Sequence, residues 1–77
     1  MVCMIELNVK RLLCPLPVIR AQNKIKDLEV GDILRVIGTD PGMLEDIPAW
    51  CRIHGHSVLR SEMEGYEVIV ELKKEAG

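Results

Sequence analysis

Three of the four prolines in this 77-residue chain stand where a helix has to begin, and that punctuation limits the folds open to it. Proline suits the first turn of a helix, because its missing N–H has no partner there and its fixed φ is already helical. Pro15 and Pro17 therefore open one helix and Pro41 opens a second, with Cys14 and Asp40 read as their N-cap residues. The first helix runs to about Leu28, with Val18, Ala21, Ile25 and Leu28 on its inner face. In the second, Leu44, Ile47, Trp50, Cys51 and His54 recur at helical spacing, Pro48 predicts a kink and Gly55 ends the helix. Met4 to Val9 is short, β-branched and alternating, and Ile33 to Ile37 is almost continuously apolar, so both read as strands. Ser57 to Glu62 and Glu67 to Leu72 form a hairpin around Met63-Glu64-Gly65, with Val68 and Val70 on one face and Ile69 on the other. The order β-α-β-α-β-β predicts an α/β (α+β) two-layer sandwich, a four-stranded mixed sheet with two helices on one face.

A chain of this length makes one domain, spanning 1–77, and has little room for an enclosed active site, so its chemistry is expected at the surface. Phe is absent and Trp50 and Tyr66 are the only aromatics, which leaves Ile, Val and Leu to build the core. Three irregularly spaced cysteines do not make a disulfide framework, and Met1 to Leu7 lacks the cationic start and apolar stretch of a secretory signal. A reducing, cytoplasmic setting is therefore expected. The longest apolar run, Leu12 to Ile19, is too short to span a membrane.

Charge singles out one segment. Residues 10 to 26 hold Lys10, Arg11, Arg20, Lys24 and Lys26 with no acid, whereas the rest of the chain carries five cations against twelve acids. Cys14 lies inside that basic segment, at the start of a helix. Both the helix dipole and nearby cations favour a thiolate over a thiol. A fall in thiol pKa from about 8.5 to about 7 would raise the ionised fraction at neutral pH to about half. The prolines stiffen the turn that presents the sulfur, and the amides of Leu16 and Val18 are expected to serve it as donors. Substituting Pro15 or Pro17 by Ala is accordingly expected to change stability by about 1 kcal/mol or less. The net acidity and scarcity of aromatics argue against direct nucleic-acid binding.

Other candidates are weaker. Cys51, His54 and His56 suggest a metal, but two of them fall on the predicted buried stripe and no second ligand pair exists, so no metal and no cofactor is expected. Cys3 has no activating context. Asp40, Glu45 and Asp46 are acids at a helix start, where the dipole alone accounts for them. A dithiol oxidoreductase uses Cys-x-x-Cys, and here Pro17 stands in the fourth position, so the chemistry is monothiol. An exposed thiolate without a base or a pocket suits accepting and handing on a group by thiol exchange.

The run Leu12-Leu13-Cys14-Pro15-Leu16-Pro17, then Thr39-Asp40-Pro41-Gly42, then Asp46-Ile47-Pro48-Ala49-Trp50-Cys51 with Gly55-His56, resembles the TusA/SirA family of small sulfur carriers over nearly the whole chain. The resemblance implies the same sandwich fold and a cysteine, here Cys14, that accepts sulfane sulfur from a cysteine desulfurase or rhodanese-type donor. It also implies delivery to a downstream acceptor in a relay such as tRNA thiolation, molybdenum-cofactor maturation or sulfur oxidation. Pro15, Leu16 and Pro17 support the motif, while Arg11, Arg20 and Lys24 are read as steering an acidic partner. Many members have Asp and Gly where this chain has Asn8 and Arg11; a family glycine with positive φ would leave Arg11 strained. From another class, the same fold could serve as a non-catalytic regulatory or docking module, and sulfur labelling of Cys14 separates the two readings.

Overall fold

The computed structural model describes residues 3–13 and 15–75, so the expectations placed on Cys14 itself lie outside the described residues. Six elements follow one another: β1 (Met4–Val9), α1 (Leu16–Ile25), β2 (Ile33–Gly38), α2 (Met43–His54), β3 (Ser57–Glu64) and β4 (Glu67–Lys73). The strands form one sheet in the order β1-β2-β4-β3. β1 runs parallel to β2, while β4 is antiparallel to both β2 and β3. Parallel pairing of β1 with β2 requires a crossover, which α1 supplies, and the antiparallel β3–β4 pair needs only a tight turn.

Register puts Ile5, Leu34 and Leu72 in one row of the inner face, and Leu7, Val36 and Val70 in the next. These rows meet Ala21 and Ile25 from α1 and Met43, Ile47 and Cys51 from α2 in a single apolar core, so both helices cover the same face. Val68 and Val70 are inward and Ile69 outward, as the alternation predicts. Ile69 is nevertheless 2% exposed on the helix-free face. Its cross-strand neighbours there are Ile37 and Glu62. Around them stands an ion lattice in which Glu71 meets Arg35 at 3.5 Å and Arg60 at 3.8 Å, Arg60 also pairs with Glu62, and Lys10 pairs with Glu67. Long charged side chains shield apolar surface with their stems, and here they do the work of a helix layer.

Several boundaries move. α1 starts at Leu16 with Pro15 in the cap position, one residue later than the cap assigned to Cys14, because Pro17 takes the second helical position. It stops at Ile25, and Leu28 reaches the core from the following turn, closed by Leu28 N–H on the Ile25 carbonyl at 3.0 Å. α2 has Gly42, not Asp40, in its cap position; the Asp40 carboxylate instead accepts the Gly42 N–H at 3.0 Å and organises the turn leading in. His54 is exposed, unlike the rest of the stripe, because it is the last residue before Gly55 turns the chain away at φ 78°. The His56 N–H returns to the Cys51 carbonyl at 2.8 Å, closing the helix end. The hairpin tip is Gly65-Tyr66, with Gly65 at φ 62°, so both strands are longer than predicted.

Candidate functional site

The frame on either side of Cys14 is built from the end of β1, the start of α1 and the loop after β2. Val9, Lys10, Arg11 and Leu12 make a turn closed by the Leu12 N–H on the Val9 carbonyl at 3.2 Å. Arg11 occupies its third position at φ 71°, the one non-glycine with positive φ among the described residues. That position favours glycine in turns of this kind, so the strain expected from the Arg11 departure is present. Two side chains hold the loop: Asn8 Oδ1 accepts the Lys10 N–H at 2.9 Å, and Thr39 Oγ1 accepts the Arg11 N–H at 3.0 Å. The Thr39-Asp40-Pro41-Gly42 segment, distant in sequence, is thereby tied to the loop that leads into Cys14.

The helix start differs from the expectation in two ways. The Leu16 N–H donates to the Leu13 carbonyl at 2.9 Å, so it already has an acceptor and is not the waiting donor assigned to it. Pro17 ranks among the most completely buried side chains, whereas Pro15 is exposed. The second proline is therefore a core residue that anchors the helix start, and the first shapes the exposed turn.

Around this frame the surface is both apolar and cationic. Leu13, Leu16 and Ile19 are exposed by 72%, 44% and 43%. Sequence reasoning named Leu16 as a motif residue but fixed on charge and missed the apolar face it makes with Leu13 and Ile19; the spacing of Leu16 and Ile19 opposite Val18 and Ala21 was the available signal. Arg11 and Arg20 are exposed and Lys24 is half-buried. None of the three forms an ion pair among the described residues, whereas Lys10 is committed to Glu67. The frame thus offers an apolar contact area with free positive charge at its edge.

The other cysteines behave differently. Cys51 is fully buried, and burial pushes its thiol up to about 11, which removes it as a nucleophile at neutral pH. Cys3 is exposed at the start of the sheet, its carbonyl accepting the Ile33 N–H at 2.8 Å. Among the described residues no three His, Cys, Asp or Glu side chains come together as metal ligands. Among the described residues no helix is long and apolar enough to cross a membrane.

Fold and frame together define a small two-layer domain whose first helix opens directly after Pro15, the residue that follows Cys14 in the sequence. The family model described as "Sulfurtransferase TusA" matches residues 5–74, and the chain belongs to that family. Among its relatives, "Putative sulfur carrier protein YrkF" of Bacillus subtilis is 36% identical over 73 residues, covering 95% of this chain and 39% of that protein. "Putative sulfur carrier protein" of Aquifex aeolicus is 38% identical over 68 residues, covering 88% of this chain and 34% of the other. The chain therefore spans well under half the length of these two relatives. "Sulfur carrier protein TusA" of Pseudomonas aeruginosa is 37% identical over 70 residues and matches 91% of this chain and 89% of its own.

Proposed function

We propose that this protein is a sulfur carrier in which Cys14 cycles between thiolate and persulfide. The Cys14 thiolate attacks the terminal sulfur of a donor persulfide; a new S–S bond forms at Cys14 as the donor's S–S bond breaks, and the donor cysteine leaves as a thiolate. An acceptor thiolate then attacks the terminal sulfur of the Cys14 persulfide and regenerates the Cys14 thiolate. No external oxidant or reductant is consumed, because sulfane sulfur passes between thiols at constant oxidation level.

The observation that carries this reading is the surface around the motif. Arg11, Arg20 and Lys24, which form no ion pair among the described residues, accompany exposed Leu13, Leu16 and Ile19, which suits a partner with an apolar contact patch rimmed by carboxylates. A cysteine desulfurase or a rhodanese-type enzyme fits as donor and a sulfurtransferase as acceptor, in a cytoplasmic relay such as the one for tRNA thiolation. Pro15 shapes the turn, and Leu16 and Pro17 fix the helix start.

The test is mass spectrometry after incubation with a cysteine desulfurase and cysteine. The expected product carries one added sulfur on the Cys14 peptide, with Cys3 and Cys51 unmodified, and Cys14→Ser acquires none. Sulfur retained in Cys14→Ser, or none gained by the wild type from any persulfide donor, overturns the carrier reading in favour of a docking module.

A further inference from the structure

At the opposite end of α1 from the cysteine motif, a groove of about 430 Å³ opens between the C-terminal ends of both helices and the end of β4. Its walls include Ile25 and Lys26 beside α1, Trp50 and His54 of α2, and His56 and Lys74 beyond the elements. The rings form a stacked cluster, with Trp50 4.4 Å from His54 and 5.4 Å from His56 between centroids.

Two buried polar groups here are incompletely satisfied. Lys74 is only 8% exposed, and its ammonium donates to the Ile25 carbonyl at 3.0 Å and the Leu28 carbonyl at 2.6 Å. An ammonium has three N–H donors, so one is left over. Among the described residues no carboxylate forms an ion pair with Lys74, and buried lysines are normally paired. The Trp50 indole N–H is the second group, buried without an acceptor among the described residues. His56 adds a third donor: its Nδ1 accepts the Glu75 N–H at 3.1 Å, which places the ring proton on Nε2. His54 Nδ1 donates to the Trp50 carbonyl at 3.0 Å. Among the described residues no acid lines the groove.

One effect opposes an anion, since helix C-termini carry partial negative charge of about half a unit each. Lys74 already meets that charge at the end of α1, and Lys26 adds a second full positive charge beside it. The volume lies within the roughly 300–1,000 Å³ of small-molecule sites and far exceeds a lone inorganic ion.

We infer that this groove binds a small organic anion, its carboxylate or phosphate head held by Lys26 and Lys74 and its flat body against Ile25 and the Trp50–histidine cluster. The site lies about 15 Å along α1 from the cysteine motif and does not depend on the sulfur-carrier reading.

Trp50 is the only tryptophan, so the intact ¹⁵N-labelled protein has a single indole N–H resonance to report on the groove. The protein is titrated separately with benzoate, adenosine monophosphate and inorganic phosphate. The expected result is a saturable indole shift with benzoate or adenosine monophosphate at concentrations at least about tenfold below those needed with inorganic phosphate. Which of the two organic probes binds identifies the head group. Lys26→Glu is expected to weaken that binding about tenfold or more, and Arg20→Glu, in the middle of α1 and outside the groove lining, to leave it unchanged. Lys74→Met is expected to abolish it; should that variant fail to fold, Lys26→Glu decides. Absence of a saturable shift with both organic probes, equal binding of inorganic phosphate, or unaltered affinity in Lys26→Glu overturns the assignment.

Discussion

Thr39 Oγ1 accepts the backbone N–H of Arg11 at 3.0 Å, and across that bond the loop after β2 holds Arg11 at φ 71°. A left-handed conformation costs a non-glycine residue about 1–2 kcal/mol, and a glycine next to nothing. The stored strain is sustained by the Leu12 to Val9 turn bond, by Asn8 and by Thr39 acting together.

Arg11→Gly is therefore expected to stabilise the fold by a few tenths to about 1 kcal/mol, the relief of strain exceeding the extra freedom glycine gives the unfolded chain. Thr39→Val is expected to cost about 1 kcal/mol by removing the acceptor. Chemical denaturation of the two variants measures both, and a destabilised Arg11→Gly would show that the side chain, not the backbone, sets the loop.

Pro15→Ala and Pro17→Ala should separate, although the sequence gives no reason to rank them. Pro15 is exposed and its replacement is expected to change stability by about 1 kcal/mol or less. Pro17 is fully buried, so Pro17→Ala removes packed ring carbons at about 0.8 kcal/mol each and is expected to cost about 2 kcal/mol. For Pro17 this revises the expectation of a change of about 1 kcal/mol or less. Thermal melts decide it, and equal melting temperatures would mean that the ring's burial contributes nothing.

Most of the architecture was legible because its signals are local. Met4–Val9 and Ile33–Gly38 are bounded by turn residues, and two amphipathic segments are opened by prolines and one is closed by Gly55, so element order and the inner faces follow from periodicity alone. What was not legible depends on contacts distant in sequence. The burial of Pro17 depends on how α1 is laid on the sheet. The occupation of the Leu16 amide depends on the path of Leu13, and the groove around Lys74 brings together Ile25, Trp50 and His56 from three parts of the chain. Nothing in the sequence around Lys74 marks it as a buried lysine. Only the convergence of the Ile25 carbonyl at the end of α1 and the Leu28 carbonyl of the following turn on its ammonium explains its burial.

Cys51 and Cys14 should differ sharply as thiols. Cys51 is inaccessible and its thiol is pushed up to about 11 by burial, so iodoacetamide is expected to leave it unmodified in the folded protein and to label it in denaturant. Because its folded pKa is raised above the ordinary thiol value of 9.0, the stability this provides is complete below pH 9.0 and is lost as pH rises towards 11. Peptide mapping after alkylation checks the first statement, and labelling of Cys51 at neutral pH without denaturant would contradict its place in the core.

Arg20 and Lys24 are free of ion pairs among the described residues, and neither belongs to the apolar core. Replacing both with Glu is expected to slow sulfur transfer from a desulfurase at least about tenfold at low salt, with little change in melting temperature. The deficit should shrink as salt is added, since screening removes steering from wild type and variant alike. A transfer rate indifferent to both the substitutions and the salt would reject the steering role and leave Leu13, Leu16 and Ile19 as the contact surface.

His56 makes the groove end of the molecule sensitive to acid. Its pKa is lowered from 6.5, first by burial of the ring and then by the positive charges of His54 and Lys74, with Glu75 opposing. Lys26 faces it across the groove. The neutral ring is the form that accepts the Glu75 N–H at Nδ1, and protonation converts that acceptor into a donor. The sign follows from proton binding: between the lowered folded pKa and 6.5 the unfolded chain holds more protons than the folded one, so stability falls as pH drops below about 6.5 and levels off below the folded value. His56→Gln keeps a ring-sized polar side chain that does not titrate, so its melting temperature is expected to be flatter than the wild type's between about pH 7 and pH 5. Following the His56 ring protons by NMR over the same range gives the folded pKa directly, and a value above 6.5 would reverse the predicted slope.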